Sequence, residues 1–436
     1  MKTIQIENFG PVKSVSIDLE KKMQVFIGEQ ASGKSTICKV IYFCQKIKDY
    51  TLEFLMDSDQ FLWNHENEYF NNYMKFLRKQ FMGCFGKTMH MQHFDIVYRF
   101  GEKYIKISLN EDGYIRFLLE KGLRDSIYEL INDSTQMFVY ELANNNINSI
   151  VDRMSALVLL KQELRMKLCT LFESQGDILY IPAGRSLLAT MSDQLQDVPI
   201  SDMDLTMQDF INAIRNTKSR FGSKIPDMVR EYTKTVRGQV SNESLDNAYD
   251  LIRKILRADY VSDNDGEKIY FDDTHWVKLM YGSSGQQEVL WILMLIFIIM
   301  LERKSNTVIV EEPEAHLFPI AQKNIVELIS LLVNTTGSRV IITTHSPYIL
   351  TSMNLLLYAD KVESRKKSKE LPIVPKNYRI AYDTFEAYCV DNRKAGKSIE
   401  SLMDGESHMI QTDYIDEVSS ITNTKLDKLI EREFEI

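Results

Sequence analysis

Polar and apolar residues alternate over the first 28 residues, which end in the apolar run Val25–Ile27. Alternation with a period of two is typical of a strand with one buried face, and a short apolar run is typical of a fully buried strand. The pattern therefore predicts a short antiparallel arm that leads into a buried strand. A glycine-rich turn follows, and residues 36–47 then carry apolar side chains at helical spacing.

Further along, strand-like and helix-like blocks divide the chain. Residues 94–120 alternate between turns, which predicts a β-meander, and Ile178–Ile181 is a short strand closed by Pro182. Short strands are also predicted around Ile269–Phe271, Val277–Met280, Thr307–Val310 and Val340–Ile342. Lys361–Glu370 is predicted as a solvated loop, and the tail from Tyr378 as a strand followed by a charged helix. The predicted division is a first lobe at 1–48, a helical insert at 49–93, the meander at 94–121, a helical region at 122–175, a strand and loop at 176–190, a second helical insert at 191–262, a second lobe at 263–360 and a C-terminal region at 361–436.

Composition narrows the class of protein. The chain has 436 residues, of which 44% are hydrophobic and 26% are charged, and its net charge is -9. This is globular composition, and the acidic balance argues against indiscriminate coating of nucleic acid while leaving room for a local basic groove. The cysteines, which form no CxxC pair, indicate reduced thiols and a cytoplasmic protein: Cys38, Cys44, Cys84, Cys169 and Cys389.

No membrane anchor is expected. The longest apolar run, Val289–Leu301, is shorter than the roughly 20 residues that span a bilayer, so it predicts a buried helix. The first ten residues read as a strand and not as an apolar signal segment, so no cleavage is expected.

The segment Gly28–Ser35 (GEQASGKS) fits the pattern GxxxxGK[ST], between a predicted strand and a predicted helix. In that context backbone N–H groups wrap phosphates, the lysine adds positive charge at the β- and γ-phosphates, and the serine hydroxyl binds Mg²⁺. A chance glycine-rich turn is the alternative, against which the flanking strand and helix argue. We call this segment the phosphate loop. Its predicted nucleotide-binding residues are Gly28, Ala31, Ser32, Gly33, Lys34, Ser35 and Thr36, with Lys34 also catalytic and Ser35 also a metal ligand.

Two carboxylates, Glu311 and Glu312, directly follow the apolar run Thr307–Val310. In an open parallel sheet the carboxyl ends of strands face the ligand crevice. We assign Glu311 to the metal and Glu312 to activation of the attacking water; a solvated acidic loop is the alternative. Because aspartate is commoner at the first position, a water that bridges Glu311 to the metal is also considered.

A second loop combines small hydroxyl residues, glycine and a helix start. The signature loop, Tyr281–Gln286 (YGSSGQ), precedes a long apolar helix that begins near Gln287, and such a loop forms an anion site. Since the chain already has a phosphate loop, this second site suits the nucleotide of a partner subunit. Ser283, Gly285 and Gln286 are its predicted nucleotide-binding residues, and a plain helix cap is the alternative.

A histidine, His345, ends the predicted strand Val340–Ile342 with the phrase THSP. Its imidazole suits a hydrogen bond to the γ-phosphate, and its position after the carboxylates favours this catalytic role over a structural one. Three other side chains are candidates, and two of them keep two interpretations. His316 lies across a dimer interface or is structural, Arg185 reaches phosphate or forms a structural salt bridge, and Gln92 is the candidate for a Mg²⁺-sensing glutamine.

The phosphate loop, the signature loop, the carboxylate pair and His345 follow one another in this order along the chain. Together they resemble the motifs of ABC-type ATPases related to chromosome-maintenance and recombination-repair proteins. The phrases EEPEAHLFP at Glu311–Pro319, THSP at Thr344–Pro347, YIPAGR at Tyr180–Arg185, and Ile4–Phe9 are similar to the OLD-like branch, often labelled AAA15 or AAA21. The similarity covers roughly 1–48, 94–120, 176–190 and 267–355. It implies an α/β fold, an ABC-type P-loop ATPase head with a mixed sheet, an antiparallel β-subdomain and inserted helical regions. It also implies ATP, Mg²⁺ and a head-to-tail homodimer or higher even oligomer.

The resemblance further indicates a biological role. Many bacterial relatives act in defence against phage with a separate nuclease, as in Septu, PARIS and retron systems. OLD nucleases carry a C-terminal Toprim domain, whereas no DxD cluster follows the His345 motif here. We therefore predict an ATPase that regulates a separate effector, with nucleic acid or a phage protein as trigger. The alternatives are a DNA-repair or maintenance enzyme and a slow-turnover scaffold; a transporter subunit fits the inserts and the EEPE phrase least, and the lack of long heptads argues against a coiled-coil arm.

Overall fold

The computed structural model describes residues 1–57, 69–88, 91, 93–143, 150–174, 176–190, 200–235, 242–364, 372–393, 396–411, 424–425 and 429. The strands are β1 (Lys2–Phe9), β2 (Val12–Asp18), β3 (Met23–Ile27), β4 (Asp95–Phe100), β5 (Lys103–Leu109), β6 (Ile115–Leu119), β7 (Ile178–Ile181), β8 (Asp259–Asp263), β9 (Gly266–Tyr270), β10 (Trp276–Lys278), β11 (Thr307–Glu311), β12 (Arg339–Thr344), β13 (Phe385–Val390), β14 (Ile399–Ser401), β15 (Met403–Asp404) and β16 (Met409–Ile410). The helices are α1 (Lys34–Met56), α2 (Tyr69–Phe85), α3 (Lys121–Ala143), α4 (Ile150–Leu171), α5 (Ser186–Thr190), α6 (Leu205–Lys218), α7 (Ile225–Thr235), α8 (Asn242–Leu256), α9 (Ser284–Glu302), α10 (Pro319–Thr336) and α11 (Pro347–Glu363).

A mixed sheet forms the centre of the molecule, in the order β14-β13-β3-β12-β11-β7 within the described residues. Every neighbouring pair is parallel except β13 with β14. Every residue of β3 is buried, as expected for a parallel strand covered on both faces. The apolar run before the phosphate loop and the one before Glu311 therefore belong to one sheet, with β12 between them.

The two faces of this sheet feed two hydrophobic cores, because successive side chains of a strand point to opposite faces. On β3, Val25 packs into one core and Phe26 into the other. The first core is covered by α8, α9, α10 and α11, and the second by α1, α2 and the antiparallel sheet. Val289–Leu301 is buried throughout in the first core. The helix α9 is long and apolar enough to cross a membrane by length and composition alone, but 78% of the relevant window is buried within the fold.

A five-stranded antiparallel sheet, β2-β1-β4-β5-β6, lies on the second core. The register pairs Ile4 with Ile17 and with Tyr98, so the alternating arm at the N-terminus and the predicted meander belong to the same sheet. A smaller antiparallel sheet, β10-β9-β8, leads into the signature loop. The predicted fold class, a mixed α/β ATPase head with an antiparallel subdomain and helical inserts, is confirmed.

Several element bounds differ from the predicted ones. The helix α1 runs to Met56 across the predicted boundary at residue 48, because Tyr50, Phe54 and Leu55 continue its buried face. The strand β8 crosses the predicted boundary at residue 262, so its short centre between two aspartates is a strand and not part of the helical insert. The helix α11 includes the first residues of the predicted lysine-rich loop, whose residues 365–370 lie outside the described ones.

The C-terminal region contributes a strand to the central sheet. A strand is predicted from Tyr378, but a 3-10 turn at Tyr382–Thr384 comes first, and the strand begins at Phe385. This strand, β13, pairs in parallel with β3, with Ala387 opposite Val25. The predicted charged helix at the end of the chain lies almost entirely outside the described residues. The region from residue 361 onward is therefore joined to the sheet that carries the phosphate loop.

Candidate active site

The phosphate loop, the carboxylate pair and His345 lie at one edge of the central sheet. The strands β3, β12 and β11 are parallel neighbours, with Val25 opposite Ile342 and Ile342 opposite Val310. Gly28 follows β3, Glu311 ends β11, and His345 follows β12. The carboxyl ends of parallel strands form the ligand crevice of open α/β sheets, so the fold brings these predicted residues together.

The glycines of the phosphate loop are required by close contacts and by backbone conformation. A Cβ on Gly28 would lie 2.3 Å from the carbonyl oxygen of Val390, and a Cβ on Gly33 would lie 2.9 Å from Cγ2 of Val12. Gly33 also has a φ of 109°, and Ala31 has a φ of 59°. Positive φ at two positions lets the loop curl around the start of α1.

The ammonium of Lys34 is held inside the phosphate loop. Its Nζ donates to the carbonyl oxygens of Gly28, at 2.9 Å, and Glu29, at 2.8 Å, and the side chain is buried. Burial lowers the pKa of Lys34, and the negative charge of Glu312 opposes this most, followed by smaller contributions that include Glu311. The predicted catalytic lysine and both carboxylates therefore share one electrostatic environment.

Three hydroxyls border the first turn of α1. The Oγ of Ser32 is buried and has no hydrogen-bond partner among the described residues. Ser35 is exposed at the start of α1, where a metal ligand is predicted. Thr36 is partly buried, and its Cγ2 lies 3.7 Å from the position of a Cβ on Gly10. Thr36 thus also packs against the turn between β1 and β2.

The first carboxylate, Glu311, is buried at the end of β11. Its Oε2 accepts a hydrogen bond of 3.1 Å from the N–H of Ala183. Its Oε1 is buried without a hydrogen-bond partner in the described part of the chain, as is the Tyr180 hydroxyl. Burial, and then the charge of Glu311, raise the pKa of Tyr180 well above its usual value. One oxygen of Glu311 is thus held by a backbone N–H, and the other lies near the Tyr180 hydroxyl without a well-formed hydrogen bond.

The second carboxylate, Glu312, lies beside His345. Their Oε1 and Nε2 atoms are 3.4 Å apart, and both side chains are partly exposed. Glu312 has a φ of 42°, which is uncommon for a residue with a side chain. Its N–H donates to the carbonyl oxygen of Thr343 at 3.0 Å. The backbone thus turns sharply after Glu311, which places the Glu312 carboxylate next to the histidine.

A third carboxylate, Glu314, supports this turn. Its Oε1 accepts from the Thr344 hydroxyl at 2.7 Å and from the N–H of His345 at 2.8 Å. Burial raises the pKa of Glu314 above its usual value. Glu314 therefore joins the loop after β11 to the end of β12. The sequence showed it within the EEPE phrase, but its spacing alone does not reveal this link.

The signature loop begins α9 with a capping box. Ser283 Oγ accepts from the N–H of Gln286 at 3.3 Å, and Gln286 Oε1 accepts from the N–H of Ser283 at 3.0 Å. Gln286 Nε2 donates to the carbonyl of Leu256 at 2.9 Å, so its carboxamide is occupied within the subunit. A Cβ on Gly285 would lie 2.7 Å from the carbonyl oxygen of His316, which has a φ of 57°. Within the described residues, these contacts do not join the loop to the phosphate loop of the same chain.

Arg185 is a structural residue of this edge and is not placed to reach phosphate. It is fully buried, and its guanidinium donates to the carbonyl oxygens of Glu311 at 2.7 Å and Glu312 at 3.0 Å. It also forms an ion pair with Glu288 of α9, with Nε and Oε2 3.5 Å apart. Of the two interpretations left open by the sequence, the structural salt bridge is the correct one.

Two residues of the C-terminal region touch the phosphate loop and were not foreseen. Asn392 Nδ2 donates to the carbonyl of Ala31 at 3.1 Å, and Arg393 Nη2 lies 2.8 Å from Glu29 Oε1. The strand-like tail after Tyr378 was the one available signal, since it pairs with β3 and delivers this loop. The suggested glutamine, Gln92, lies outside the described residues.

The arrangement fits an Mg²⁺–nucleotide. The Oε1 of Glu311 and the Oγ of Ser32 are buried polar atoms that lack protein partners in the described structure, and both belong to segments around the Lys34 ammonium. No group of three or more His, Cys, Asp and Glu side chains in the described ranges could hold a metal without other ligands. Mg²⁺ commonly takes one or two protein ligands together with phosphate oxygens and waters, which suits Ser35 and Glu311.

The fold and this site define a P-loop ATPase. The AAA_15 family model, described as an AAA ATPase domain, matches residues 1–175 and 170–350. The chain belongs to this family. Membership of the family implies that the nucleotide is ATP and that the chain is an ATPase. No curated protein matches.

Solved structures of SMC heads are similar to the chain, with low TM-scores and low sequence identity. An SmcHead bound to the C-winged helix domain of ScpA is 12% identical, with a TM-score of 0.42, over 92% of this chain and 96% of that one. An SMC head domain from Thermotoga maritima is 9% identical, with a TM-score of 0.37, over 92% and 98%. A Smc head domain with an extended coiled coil, bound to the C-terminal domain of ScpA derived from Pyrococcus furiosus, is 13% identical, with a TM-score of 0.39, over 97% and 100%. At these values the similarities say nothing about activity or partners.

Proposed function

We propose that the chain binds and hydrolyses Mg²⁺–ATP as a homodimer or higher even oligomer, and that the ATP-bound state regulates a separate effector. The observation that carries this proposal is the convergence of Lys34, Glu311, Glu312 and His345 at one edge of the sheet. A cation, a metal ligand, a base and a γ-phosphate donor are the groups that ATP hydrolysis requires.

Lys34 changes partners when nucleotide binds. Its ammonium leaves the carbonyls of Gly28 and Glu29 for the β- and γ-phosphate oxygens, which are negatively charged and form stronger hydrogen bonds. The N–H groups at the start of α1 bind phosphate oxygens as well. We also assign the partnerless Ser32 Oγ to a phosphate contact.

The two carboxylates, Glu311 and Glu312, have different roles in hydrolysis. Glu311 Oε1 and the Ser35 hydroxyl hold Mg²⁺, which when bound neutralises charge on the β- and γ-phosphates. Glu312, partly exposed and next to His345, orients the attacking water and accepts its proton. His345 donates a hydrogen bond to the γ-phosphate. The 3.4 Å separation of Glu312 and His345 lets them act on neighbouring atoms of the reaction.

The dimer explains a signature loop that carries no nucleotide of its own. Ser283 and Gly285 act on the nucleotide bound by the phosphate loop of the second subunit. A groove of about 590 Å³ adjoins the loop, bordered by the exposed apolar side chains of Phe271, Phe318 and Ile320. An apolar surface next to a polar loop is a feature of subunit interfaces, which supports this arrangement. The carboxamide of Gln286 is used by the capping box, so we assign the trans contact to Ser283 and Gly285.

The biological role follows from the resemblance to OLD-like ATPases of phage-defence systems. We propose a cytoplasmic sensor or scaffold whose partner is a nuclease, and whose trigger is nucleic acid or a phage protein. The phrases that carry the resemblance, Tyr180–Arg185 and Glu311–Pro319, are also the segments that build the site.

This role is tested by phage challenge. Cells that carry the chain with its neighbouring genes should survive infection, and cells with Glu312→Gln or Lys34→Ala in the same operon should not. A neighbouring gene for a nuclease, and loss of protection when that nuclease is inactivated, would support an effector partner. Hydrolysis that is strongly stimulated by DNA, without any protection from phage, would favour a DNA-maintenance enzyme instead.

A further inference from the structure

One buried guanidinium joins three segments of the active-site edge. The Nε of Arg185 donates to the carbonyl oxygen of Glu288 at 2.9 Å. Its Nη1 donates to the carbonyls of Pro182 at 2.6 Å and Glu311 at 2.7 Å, and its Nη2 to the carbonyl of Glu312 at 3.0 Å. Because these acceptors are main-chain atoms, Arg185 controls where the backbone of the carboxylate pair lies.

The carboxylate of Glu288 completes the connection from the side of α9. Its Oε2 accepts from the N–H of Arg185 at 3.1 Å, and its Oε1 accepts from the N–H of Ser186 at 3.1 Å. Glu288 lies in the second turn of α9, and the capping residue Ser283 begins the first. A helix is a rigid element that can carry coupling between the groups at its turns, so we expect a displacement of the signature loop to be passed on to Arg185.

The loop before Arg185 also forms a hydrogen bond with Glu311, the carboxylate that we assign to the metal. The N–H of Ala183 donates to Glu311 Oε2. Glu312, which follows, has a φ of 42°, and its backbone is held by Thr343 on the N–H side and by Arg185 on the carbonyl side. A residue in this uncommon backbone conformation persists because its surroundings impose it. Arg185 is one of the groups that do so, together with Thr343 and with the N–H of Ala315, which donates to the same carbonyl of Glu312 at 3.1 Å.

On the basis of the proposed function, we infer that Arg185 is a positioning residue that sets the geometry of Glu311 and Glu312 and couples it to the signature helix through Glu288. Engagement of Ser283 by the second subunit's nucleotide thereby acts on the carboxylates of the first subunit. Arg185 does not itself touch the nucleotide, since it is fully buried and four of its five N–H donors are used by carbonyl oxygens.

Two substitutions remove the connection with little change in volume. Arg185→Lys keeps a cation but loses the planar fork that serves four carbonyls at once. Glu288→Gln replaces one of two acceptor oxygens by an NH₂ group that faces backbone donors. The matched controls are Arg220→Lys and Glu302→Gln, since Arg220 and Glu302 form an ion pair at the other end of the same helix.

The measurements separate positioning from stability. For each variant we would measure the melting temperature, the Kd of ATP, the Mg²⁺ concentration that half-saturates Mg²⁺-dependent nucleotide binding, and the single-turnover hydrolysis rate. For Arg185→Lys and Glu288→Gln we expect an ATP Kd within about threefold of wild type, since removal of a group behind a metal ligand acts mainly on the metal. We expect the Mg²⁺ requirement to rise roughly tenfold or more, and the hydrolysis rate to fall at least as much. The controls should lower the melting temperature without changing the Mg²⁺ requirement or the rate.

Two results would overturn the inference. One is a folded Arg185→Lys variant with the Mg²⁺ requirement and rate of the controls. The other is a fall in ATP affinity as large as the fall in rate. If Arg185→Lys does not fold, the same readouts on Glu288→Gln decide. A wild-type protein that binds no ATP or hydrolyses none would reject the proposed function itself, whereas an active wild type with unaffected variants rejects the positioning role alone.

Discussion

Replacement of Lys34 by alanine removes the cation that the phosphate loop holds ready for a nucleotide. In the structure its Nζ donates to two carbonyl oxygens, at 2.9 and 2.8 Å. The same donors should serve phosphate oxygens when ATP binds. Loss of Lys34 therefore removes at least two hydrogen bonds to charged oxygens from the complex.

The magnitude follows from these contacts. A hydrogen bond to a charged group contributes about 1.5–3 kcal/mol, so two of them contribute about 3–6 kcal/mol. Since about 1.4 kcal/mol corresponds to a tenfold change in affinity, the range is roughly 100-fold to 10,000-fold. When ATP binds, Lys34 exchanges its hydrogen bonds to the carbonyls of Gly28 and Glu29 for bonds to phosphate, so only the difference between them contributes to affinity. We therefore expect a loss of ATP affinity at the lower end of this range, about 100-fold.

Isothermal titration calorimetry with ATP and Mg²⁺ measures this directly. Lys39→Ala is the matched control, because Lys39 lies on the same helix and pairs with Asp204 at 3.3 Å, away from the phosphate loop. The control should bind ATP like wild type. Unchanged ATP affinity in a folded Lys34→Ala variant would show that the loop does not hold the phosphates in the way described.

Two further predictions test the dimer and the supporting carboxylate. In a mixture of Ser283→Arg and Lys34→Ala chains, each heterodimer has one composite site with two intact loops, so it should recover up to about half of the activity of a wild-type dimer. Heterodimers that native mass spectrometry identifies but that show no recovery would contradict action in trans. Burial raises the pKa of Glu314 above its unfolded value, so ionisation of Glu314 costs stability that is regained as pH falls through the folded pKa. Glu314→Gln cannot titrate, so its melting temperature relative to wild type should fall from pH 8 to pH 5, and a difference that does not vary with pH would contradict the buried carboxylate.

Local motifs made much of the site predictable. The phosphate loop is formed by a strand, a turn and a helix that are contiguous in sequence. The spacing from Gly28 to Ser35 was therefore sufficient to predict where this loop lies in the fold. Glu311, Glu312 and His345 were placed by one rule, that parallel strands end at a common edge. The capping box was also readable, since Ser283 and Gln286 have the S-x-x-Q spacing, and that signal would have assigned the Gln286 side chain to the helix cap.

Contacts between distant segments were not predictable. Arg185 bonds carbonyls that lie 103, 126 and 127 positions further along the chain, and Asn392 meets Ala31 across 361 positions. A single sequence gives no information about such pairs, because each residue alone resembles an ordinary surface cation or amide. The short strand β8 was missed for a different reason, since its apolar residues are too few to show a period.

The central claim is that two chains close around ATP and that Glu312 then drives hydrolysis. The most direct test is the mass of Glu312→Gln in solution, measured by light scattering with and without Mg²⁺–ATP, because glutamine cannot act as the base but leaves the fold and the metal ligand intact. We predict a shift with ATP from the chain mass of 50.8 kDa to at least twice that value, and hydrolysis far below wild type. ATP-bound protein that stays at the mass of one chain, or that turns over ATP at the wild-type rate, would contradict the account.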